Sequence, residues 1–243
     1  MSAPTPVLVH GASGRMGRSL LRLLPDHPAL ALAAAVSPQP LGEAAHAVQW
    51  LPPARMGDAP AVRLVVDFSL PEAFDAALGF SVERGAAFVS GTTGLSREQH
   101  EALERAGQQI PVLWAANFSL GVAVLSRLVE QAARALPGWD LDIVESHHVH
   151  KKDAPSGTAL ALGAAAAAAG AQPRYASLRA GDIVGEHAVQ FTGLGERIEL
   201  VHRACDRDVF ARGALAVGQW LAAEPPGLRT LGDWVDGRSG AGA

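Results

Sequence analysis

From residue 6 to about residue 117 the chain alternates short apolar runs with stretches of helical spacing, and this rhythm limits the fold more than any other feature. Residues 6–10 form an apolar run that enters a glycine loop, and residues 15–24 then have helical spacing that stops before Pro25. Further apolar runs at 29–36, 62–67, 86–90 and 110–114 suit parallel strands. Helical stretches lie between them at 71–84, with Pro71 near the first helical position, and at 96–107, with Ser96 as N-cap. The stretch 37–61 is rich in Pro, Gly and Ala and reads as loop with a short helix. Strand–helix alternation of this kind predicts an α/β fold built on a Rossmann-type, doubly wound parallel sheet.

After residue 117 the rhythm changes. A helix at about 120–136 precedes a strand at 140–146, and an alanine-rich helix starts near Thr158. From about 175 to 212 the sequence reads as short strands with Gly-rich turns and no long helix, which predicts a second α+β domain with a mixed sheet. The tail, with Trp220 and Trp234, has amphipathic helical stretches and ends in a Gly/Ala run. The 243 residues suffice for two modest domains that each bury a core, and 49% hydrophobic with 18% charged residues fits a soluble globular protein.

Composition also excludes partners. The net charge is −4 and no basic stripe is visible, which argues against nucleic acid. Cys205 is the only cysteine, so neither an internal disulfide nor a thiolate metal cluster is available, and a reducing cytosol fits. Residues 1–6 have no positively charged leader pattern, so a cytoplasmic location is expected. The longest apolar stretch, 159–171, is mostly alanine and is broken by Gly163 and Gly170. It reads as a packed helix, and no membrane partner is expected.

Gly11, Ala12, Ser13, Gly14, Arg15, Met16 and Gly17 give G-x-x-G-x-x-G between an expected strand and an expected helix. Glycine lets the backbone turn sharply and approach a pyrophosphate, and the helix start adds N–H donors and partial positive charge. The triplet alone also fits an ordinary βα turn; the strand–loop–helix context favours a dinucleotide. The ribose position, at the end of the second strand, is Ser37 followed by Pro38. No Asp or Glu stands there to bind both ribose hydroxyls, and no Arg adjoins it, although Arg15 sits in the loop. Losing the carboxylate removes repulsion against a 2′-phosphate, so the cofactor is NADPH and/or NADH with a lean towards NADPH. Gly91, Thr92, Thr93 and Gly94, and then Ala115, Ala116, Asn117 and Phe118, fall where strand ends should line the cofactor crevice. Asn117 is the chain's only asparagine.

Residues 145–158 carry the densest chemistry. They contain Glu145, His147, His148, His150, Lys151 and Lys152, and they lead through Ser156, Gly157 and Thr158 into a helix start capped by Ser156 or Thr158. Lys151 and Lys152 are the only lysines among 20 basic residues. Lysine is a compact donor whose protonation can shift, whereas arginine stays charged. A solvated charged loop is the plain alternative. Zinc would need three or four suitably placed ligands, but the lysines crowd the site with positive charge and a helix N-terminus attracts anions, so no metal is expected. An anionic substrate fits better. Gly157 and Thr158 offer N–H and hydroxyl donors to a carboxylate, and a histidine can give a proton near neutral pH.

Taken in order, these motifs resemble the 4-hydroxy-tetrahydrodipicolinate reductase (dihydrodipicolinate reductase) family of the diaminopimelate and lysine pathway. The resemblance runs through 9–17, 66–71, 91–94, 115–119, 145–160, 179–187 and 195–202, nearly the whole chain. Residues 147–158 are highly specific to that family; the glycine loop is not. The resemblance implies an NAD(P)H-dependent oxidoreductase that reduces a small cyclic dicarboxylate. It implies that His147 is the general acid as hydride arrives from nicotinamide C4, and that Lys151 binds a substrate carboxylate and stabilises developing charge. His148, Gly157 and Thr158 would hold the dicarboxylate, and residues 11–17, Ser37, 91–93 and 115–118 the dinucleotide. It further implies residues 1–117 as dinucleotide-binding domain and 118–208 as substrate-binding and oligomerisation domain. Residues 209–243 would be a segment returning to the first domain, and the assembly a homotetramer built through the mixed sheet. Three departures stand out. Ser37 replaces the acidic residue often found at the ribose position, the stretch 37–60 is short, and the loop at 175–178 is shorter than in many relatives. Trims of this kind fall in loops, where length changes are tolerated. Rival readings are another two-domain Rossmann amino-acid dehydrogenase, a non-catalytic dinucleotide sensor and a metal-dependent hydrolase. A semialdehyde dehydrogenase would need a thiol nucleophile, for which Cys205 is the only candidate, far from any expected helix start.

Overall fold

The computed structural model of the chain describes residues 3–40 and 49–239. In chain order the elements are β1 (Thr5–His10), α1 (Arg15–Leu23), β2 (Leu30–Val36), β3 (Trp50–Leu51), β4 (Leu64–Asp67), α2 (Pro71–Arg84), β5 (Ala87–Ser90), α3 (Arg97–Gly107) and β6 (Pro111–Trp114). There follow α4 (Leu120–Ala135), β7 (Asp140–His147), α5 (Gly157–Ala168), β8 (Pro173–Arg179), β9 (Gly185–Gly193), β10 (Glu196–Ala204), α6 (Asp208–Leu221), β11 (Gly227–Arg229) and α7 (Leu231–Ser239). They form two compact units, one of Met1–Phe118 with Phe210–Ala243, the other Ser119–Val209.

The first unit holds a seven-stranded sheet in the order β11-β6-β5-β4-β1-β2-β3, with parallel pairing throughout. β4 and β5 are buried along their whole length, as expected of strands covered on both faces. Their side chains Leu64, Val65, Val66, Phe88 and Val89 join the fully buried Val7, Leu8 and Val9 of β1. Local chemistry sets the helix ends. Pro71 opens α2, and Gly85 closes it at φ +60°, a conformation glycine adopts without a Cβ penalty. Ser96 and Gln99 form a reciprocal capping box at α3. The sheet runs outward in opposite directions from the β1/β4 pair, and the C-terminal ends of such a pair are where this architecture binds its ligand.

The second unit holds the mixed sheet β10-β9-β7-β8, in which β7 pairs parallel with β8 and antiparallel with β9. α4 and α5 cover one face, packing Leu125, Val129, Leu162 and Ala166 on Leu141, Ile143, Val189 and Phe191. β7 alternates strictly, so Leu141, Ile143, Glu145 and His147 all point to the buried side. That face starts with packing residues and ends with chemical ones.

The doubly wound parallel sheet with a second, mixed-sheet part is thus the architecture expected from the sequence. Details differ. Helix α1 stops at Leu23, and a 3-10 turn over Leu24–Asp26 accommodates Pro25 within its first turn. In the stretch 37–61, Trp50–Leu51 adds an edge strand and Pro53–Asp58 forms a 3-10 segment; residues 41–48, like the Gly/Ala run at 240–243 and the first two residues, lie outside the described residues. Residues 175–178 are not a loop but the middle of β8, registered on Ile143–Ser146. The strand region ends at Ala204 and α6 begins at Asp208, so Cys205 stands just before a helix start, contrary to the sequence reading. β11, inside the tail, was not expected either. No helix among the described residues is long and apolar enough to cross a membrane.

Candidate active site

In the first unit the glycine loop folds tightly on itself. Gly11 has φ +78°, and the N–H groups of Gly11 and Ala12 both donate to the Val36 carbonyl at 3.0 Å. A Cβ on Gly11 would stand 2.7 Å from the Phe68 carbonyl carbon, and one on Gly17 would stand 2.6 Å from Ala12 Cα. Gly14 has more room, 3.2 Å from the Gly11 oxygen. The first and third glycines are therefore required by backbone contact. Gly14 is the N-cap of α1 and provides no side-chain acceptor for the first-turn amides, an arrangement that suits a pyrophosphate. Arg15 is exposed at the first helical position.

Ser37 directly follows β2 and is 1% exposed. Its hydroxyl donates to the Gln39 carbonyl at 2.7 Å, and Trp50 Nε1 donates to both its Oγ and its carbonyl at 3.2 Å. The Ser37 side chain is thus engaged by Gln39 in the loop after β2 and by Trp50 of β3. Thr92 is also turned inward: its hydroxyl donates to Asp67 Oδ2 at 2.7 Å, and Trp114 Nε1 donates to its carbonyl. Thr93 is exposed beside it. A Cβ on Gly91 would lie 2.7 Å from Phe68 Cδ1, and Phe68 in turn meets Phe118 edge to face at 5.6 Å. Of the remaining residues expected here, Ala115 donates its N–H to the Ser90 carbonyl, and Ala116 and Asn117 follow it in the turn after β6.

Behind these loops lies Asp67, fully buried at the end of β4. It accepts from His10 Nδ1 (2.8 Å), the Ser90 hydroxyl (2.7 Å), the Thr92 hydroxyl and the Ser69 N–H (3.2 Å). Burial alone would raise its pKa. The hydrogen bond and charge of His10, helped by Ser69 and Ser90, outweigh that and hold the carboxyl below its ordinary range. One carboxylate thereby ties together the ends of β1, β4 and β5, from which the glycine loop at 11–17 and the loop at 91–94 spring.

In the second unit β7 delivers Glu145 and His147 to one face. Glu145 is fully buried; its Oε2 takes His147 Nδ1 at 2.5 Å, and its two oxygens receive the Arg179 guanidinium at 2.9 and 2.8 Å. The Ser156 N–H adds a bond at 3.2 Å to Oε1. Burial works to raise the Glu145 pKa, but the bonds from Arg179, Ser177 and His147 prevail and bring it to about 2. His147 is 8% exposed and meets the ring of His187 at 5.2 Å. His187 Nε2 shares a 3.1 Å hydrogen bond with the Ser156 hydroxyl. Burial first, and then the charge of His147, push the His187 pKa down to about 4.

The chain then leaves β7 through His148, Val149 and His150 to Lys151, whose Nζ lies 2.9 Å from Asp153 Oδ2. A cis Ala154–Pro155 bond precedes α5. Ser156 is the N-cap, its hydroxyl accepting from the Ala159 N–H, so Gly157 and Thr158 occupy the first helical positions at the positive end of the helix. His148 is half-buried, and its Nδ1 is buried with no hydrogen-bond partner among the described residues; burial, then the charge of Arg207, lower its pKa. His147, His148, Lys151, Gly157 and Thr158 therefore share one strand end, one loop and one helix start. Lys152 is exposed. Chemically the group offers a held imidazole, an ammonium and helix-start donors, a set that can bind carboxylates and move a proton. Among the described residues no group of three or more His, Cys, Asp or Glu side chains is placed to hold a metal ion.

Sequence reasoning gave no role to Glu145, Arg179, His187, His10 or Asp67. A charge two residues before His147 on an inward-facing strand was the one local signal for Glu145. Arg179 lies 34 residues from Glu145 and offered none.

Residues 5–118 match the family model described as dihydrodipicolinate reductase, N-terminus, and residues 121–235 match dihydrodipicolinate reductase, C-terminus. The 4-hydroxy-tetrahydrodipicolinate reductase of Stenotrophomonas maltophilia (strain K279a) is 62% identical over 232 residues, which is 95% of this chain and 97% of that protein. The protein of the same name from Xanthomonas campestris pv. campestris (strain B100) is 57% identical over 235 residues, 96% and 99% of the two chains. Among solved structures, a dipicolinate-bound dihydrodipicolinate reductase from Paenisporosarcina sp. TG-14 gives a TM-score of 0.78 at 20% identity, covering 94% of this chain and 98% of that one. The diaminopimelate (DAP) dehydrogenase of C. glutamicum, in complex with DAP, gives 0.61 at 12% identity, covering 96% and 94%. At such identities these two likenesses speak to the fold alone.

Proposed function

Because the chain belongs to the dihydrodipicolinate reductase family, we propose that it converts 4-hydroxy-tetrahydrodipicolinate, NAD(P)H and a proton to tetrahydrodipicolinate and NAD(P)+, with the 4-hydroxyl leaving as water, a step of diaminopimelate and lysine biosynthesis. The observation that carries the reading is the segment from Glu145 to Thr158, in which a held histidine, a lysine and an anion-binding helix start adjoin one another. Residues 1–117 bind the dinucleotide, 118–208 the substrate, and 209–243 complete the first domain.

The glycine loop fits a dinucleotide, since Gly11 and Gly17 leave no space for a Cβ and the α1 amides have no side-chain cap. Residues 11–17, Ser37, 91–93 and 115–118 would hold it, and when bound it supplies a hydride from nicotinamide C4. Thr92 serves by shaping its loop, given the inward course of its hydroxyl. The absence of a carboxylate at Ser37 supports acceptance of NADPH and of NADH, with a preference for NADPH. His147 acts as general acid, giving a proton to the substrate from Nε2 while Nδ1 stays on Glu145. Lys151 binds a substrate carboxylate, replacing the Asp153 contact, which is more than half exposed and so weakly held. His148 Nδ1, Gly157 and Thr158 receive the rest of the dicarboxylate. The active form is a homotetramer joined through the mixed sheet. The sheet face turned away from α4 and α5 supports this, because it carries Val144, Ala176, Leu178, Ala188 and Val201, with Leu178 57% exposed.

The test is a steady-state assay with enzymatically generated substrate and each dinucleotide in turn. Oxidation of NADPH, and more slowly of NADH, only when the cyclic dicarboxylate is present is the expected result. Dinucleotide binding without turnover on that substrate would overturn the reading.

A further inference from the structure

We propose that Glu145 and Arg179 together set both the orientation and the acid strength of His147, Glu145 by holding the Nδ1 proton and Arg179 by sharing the charge of the same carboxylate. The inference rests on the assignment of His147 as proton donor.

Glu145 and His147 lie two residues apart on β7 and therefore on one face, so the carboxylate reaches the imidazole of its own strand. With Nδ1 engaged at 2.5 Å, Nε2 is the atom left to deliver a proton. Gly185, the first residue of β9, lies beside it: a Cβ there would stand 3.0 Å from Nε2, and glycine leaves that space open. A buried carboxylate facing a histidine alone would hold the imidazolium firmly and make it a poor acid. Arg179, on β8, changes this balance. Its fork takes both Glu145 oxygens, including the one that binds His147, so the imidazole faces a nearly neutral ion pair and not a bare anion. The carboxyl stays ionised throughout, its pKa brought down to about 2 despite burial.

Among the described residues no other charged group takes over either part; the Ser156 N–H and Ser177 also bond the Glu145 carboxylate but carry no charge. His187 on β9, and His148 and Lys151 in the loop, bring only positive charge or none. Asp153 is paired with Lys151 and 59% exposed. Arg179 does one thing more: its Nη2 donates to the Asp153 carbonyl at 2.5 Å and its Nε to the Lys151 carbonyl at 3.3 Å. The guanidinium that tempers the acid also anchors the main chain of the substrate-binding lysine. Both are positioning residues; the chemistry remains with His147 and Lys151.

The experiment is the pH profile of kcat, at saturating dinucleotide and substrate, for the wild type, Glu145→Gln, Arg179→Gln and the double variant. The alkaline limb, where the proton donor is lost, is expected to move up by about one pH unit in Arg179→Gln and down by about one unit in Glu145→Gln. In the double variant a neutral amide pair replaces a neutral ion pair, and the limb returns close to its wild-type position. This variant buries no lone charge, so it keeps the test open if a single variant fails to fold. At the plateau Glu145→Gln is expected to lose roughly 10- to 100-fold in kcat, with dinucleotide KM unchanged. A role confined to structure would lower every profile without moving its limb, and that result would overturn the inference. A nitrogen-15 spectrum of the free wild type gives a readout independent of turnover. His147 carrying its proton at Nδ1 is expected, and a neutral ring protonated only at Nε2 sinks the proposal. Failure of the wild type to turn over the substrate counts against the functional reading, and the spectrum then still decides the Glu145 contact.

Discussion

Truncating His147 to alanine removes the proton donor but leaves the Glu145–Arg179 pair bonded beneath it. Steady-state kinetics are expected to show kcat lower by roughly 10²- to 10⁴-fold, with dinucleotide binding intact. His187 governs a different property. In the unfolded chain it takes a proton near pH 6.5, whereas the folded protein resists protonation down to about pH 4. Between those values the unfolded state binds more protons, so stability falls as pH drops through that window and is insensitive to His187 above it. Glu145 acts further down: the stability from its ionised form is present above its ordinary value of 4.5 and is lost as pH falls towards about 2. His187→Gln keeps a partner for Ser156 and cannot titrate. Urea midpoints at pH 7 and pH 5 should therefore differ less for this variant than for the wild type. At this scale the sequence spoke unevenly. His147 and Lys151 stood out because the histidines cluster and the chain's only lysines, Lys151 and Lys152, stand side by side there. Asp67 and Arg179 did not, because what makes them matter is a set of partners gathered from several elements, and no local spacing encodes that.

Elements depend on single atoms at their ends. The Ser156 hydroxyl caps α5 and also holds His187, so Ser156→Ala is expected to cost about 1–2 kcal/mol, read by thermal or urea unfolding. In the glycine loop the contrast between positions is informative. Gly17→Ala drives a methyl group into the backbone of Ala12, and overpacking of this kind costs about 1–3 kcal/mol. Gly14→Ala meets its nearest atom at 3.2 Å. Dinucleotide titration should thus show a much larger loss of affinity for Gly17→Ala than for Gly14→Ala; equal losses would disprove the backbone-contact account. The long elements with clear periodicity, α2, α3, α4 and β7, were legible in the sequence within a residue or two. β3 and β11, of two and three residues, are too short to show a period and exist because a neighbouring edge pairs with them. Residues 175–178 look loop-like because most of the strand around them is exposed, which hides the alternation that marks β7.

On the scale of the molecule, the first unit packs a core around Phe74 and Phe88, and the second packs its own around Ile143 and Phe191. Unfolding need not then be a single two-state event. Calorimetry with dinucleotide at 100 times its Kd is expected to raise the stability of the first unit by about 2.7 kcal/mol, moving its transition and leaving that of the second where it was. A shift confined to the second transition would place the dinucleotide on the wrong unit. The doubly wound sheet could be read from sequence because βα alternation is a global pattern that survives errors at every boundary. The seventh strand was invisible to that reading, since β11 comes from beyond the second unit to pair with β6, and α3 lies so close that a Cβ on Gly107 would stand 2.9 Å from the Leu228 nitrogen. This pairing has a consequence for birth on the ribosome. Residues 119–209 are contiguous and emerge whole, whereas residues 111–113 must wait for 227–229 before their open edge is covered. At about 5–20 residues per second, that edge stays bare for roughly 6 to 23 seconds. The half of the protein that is made first is therefore the half that is finished last.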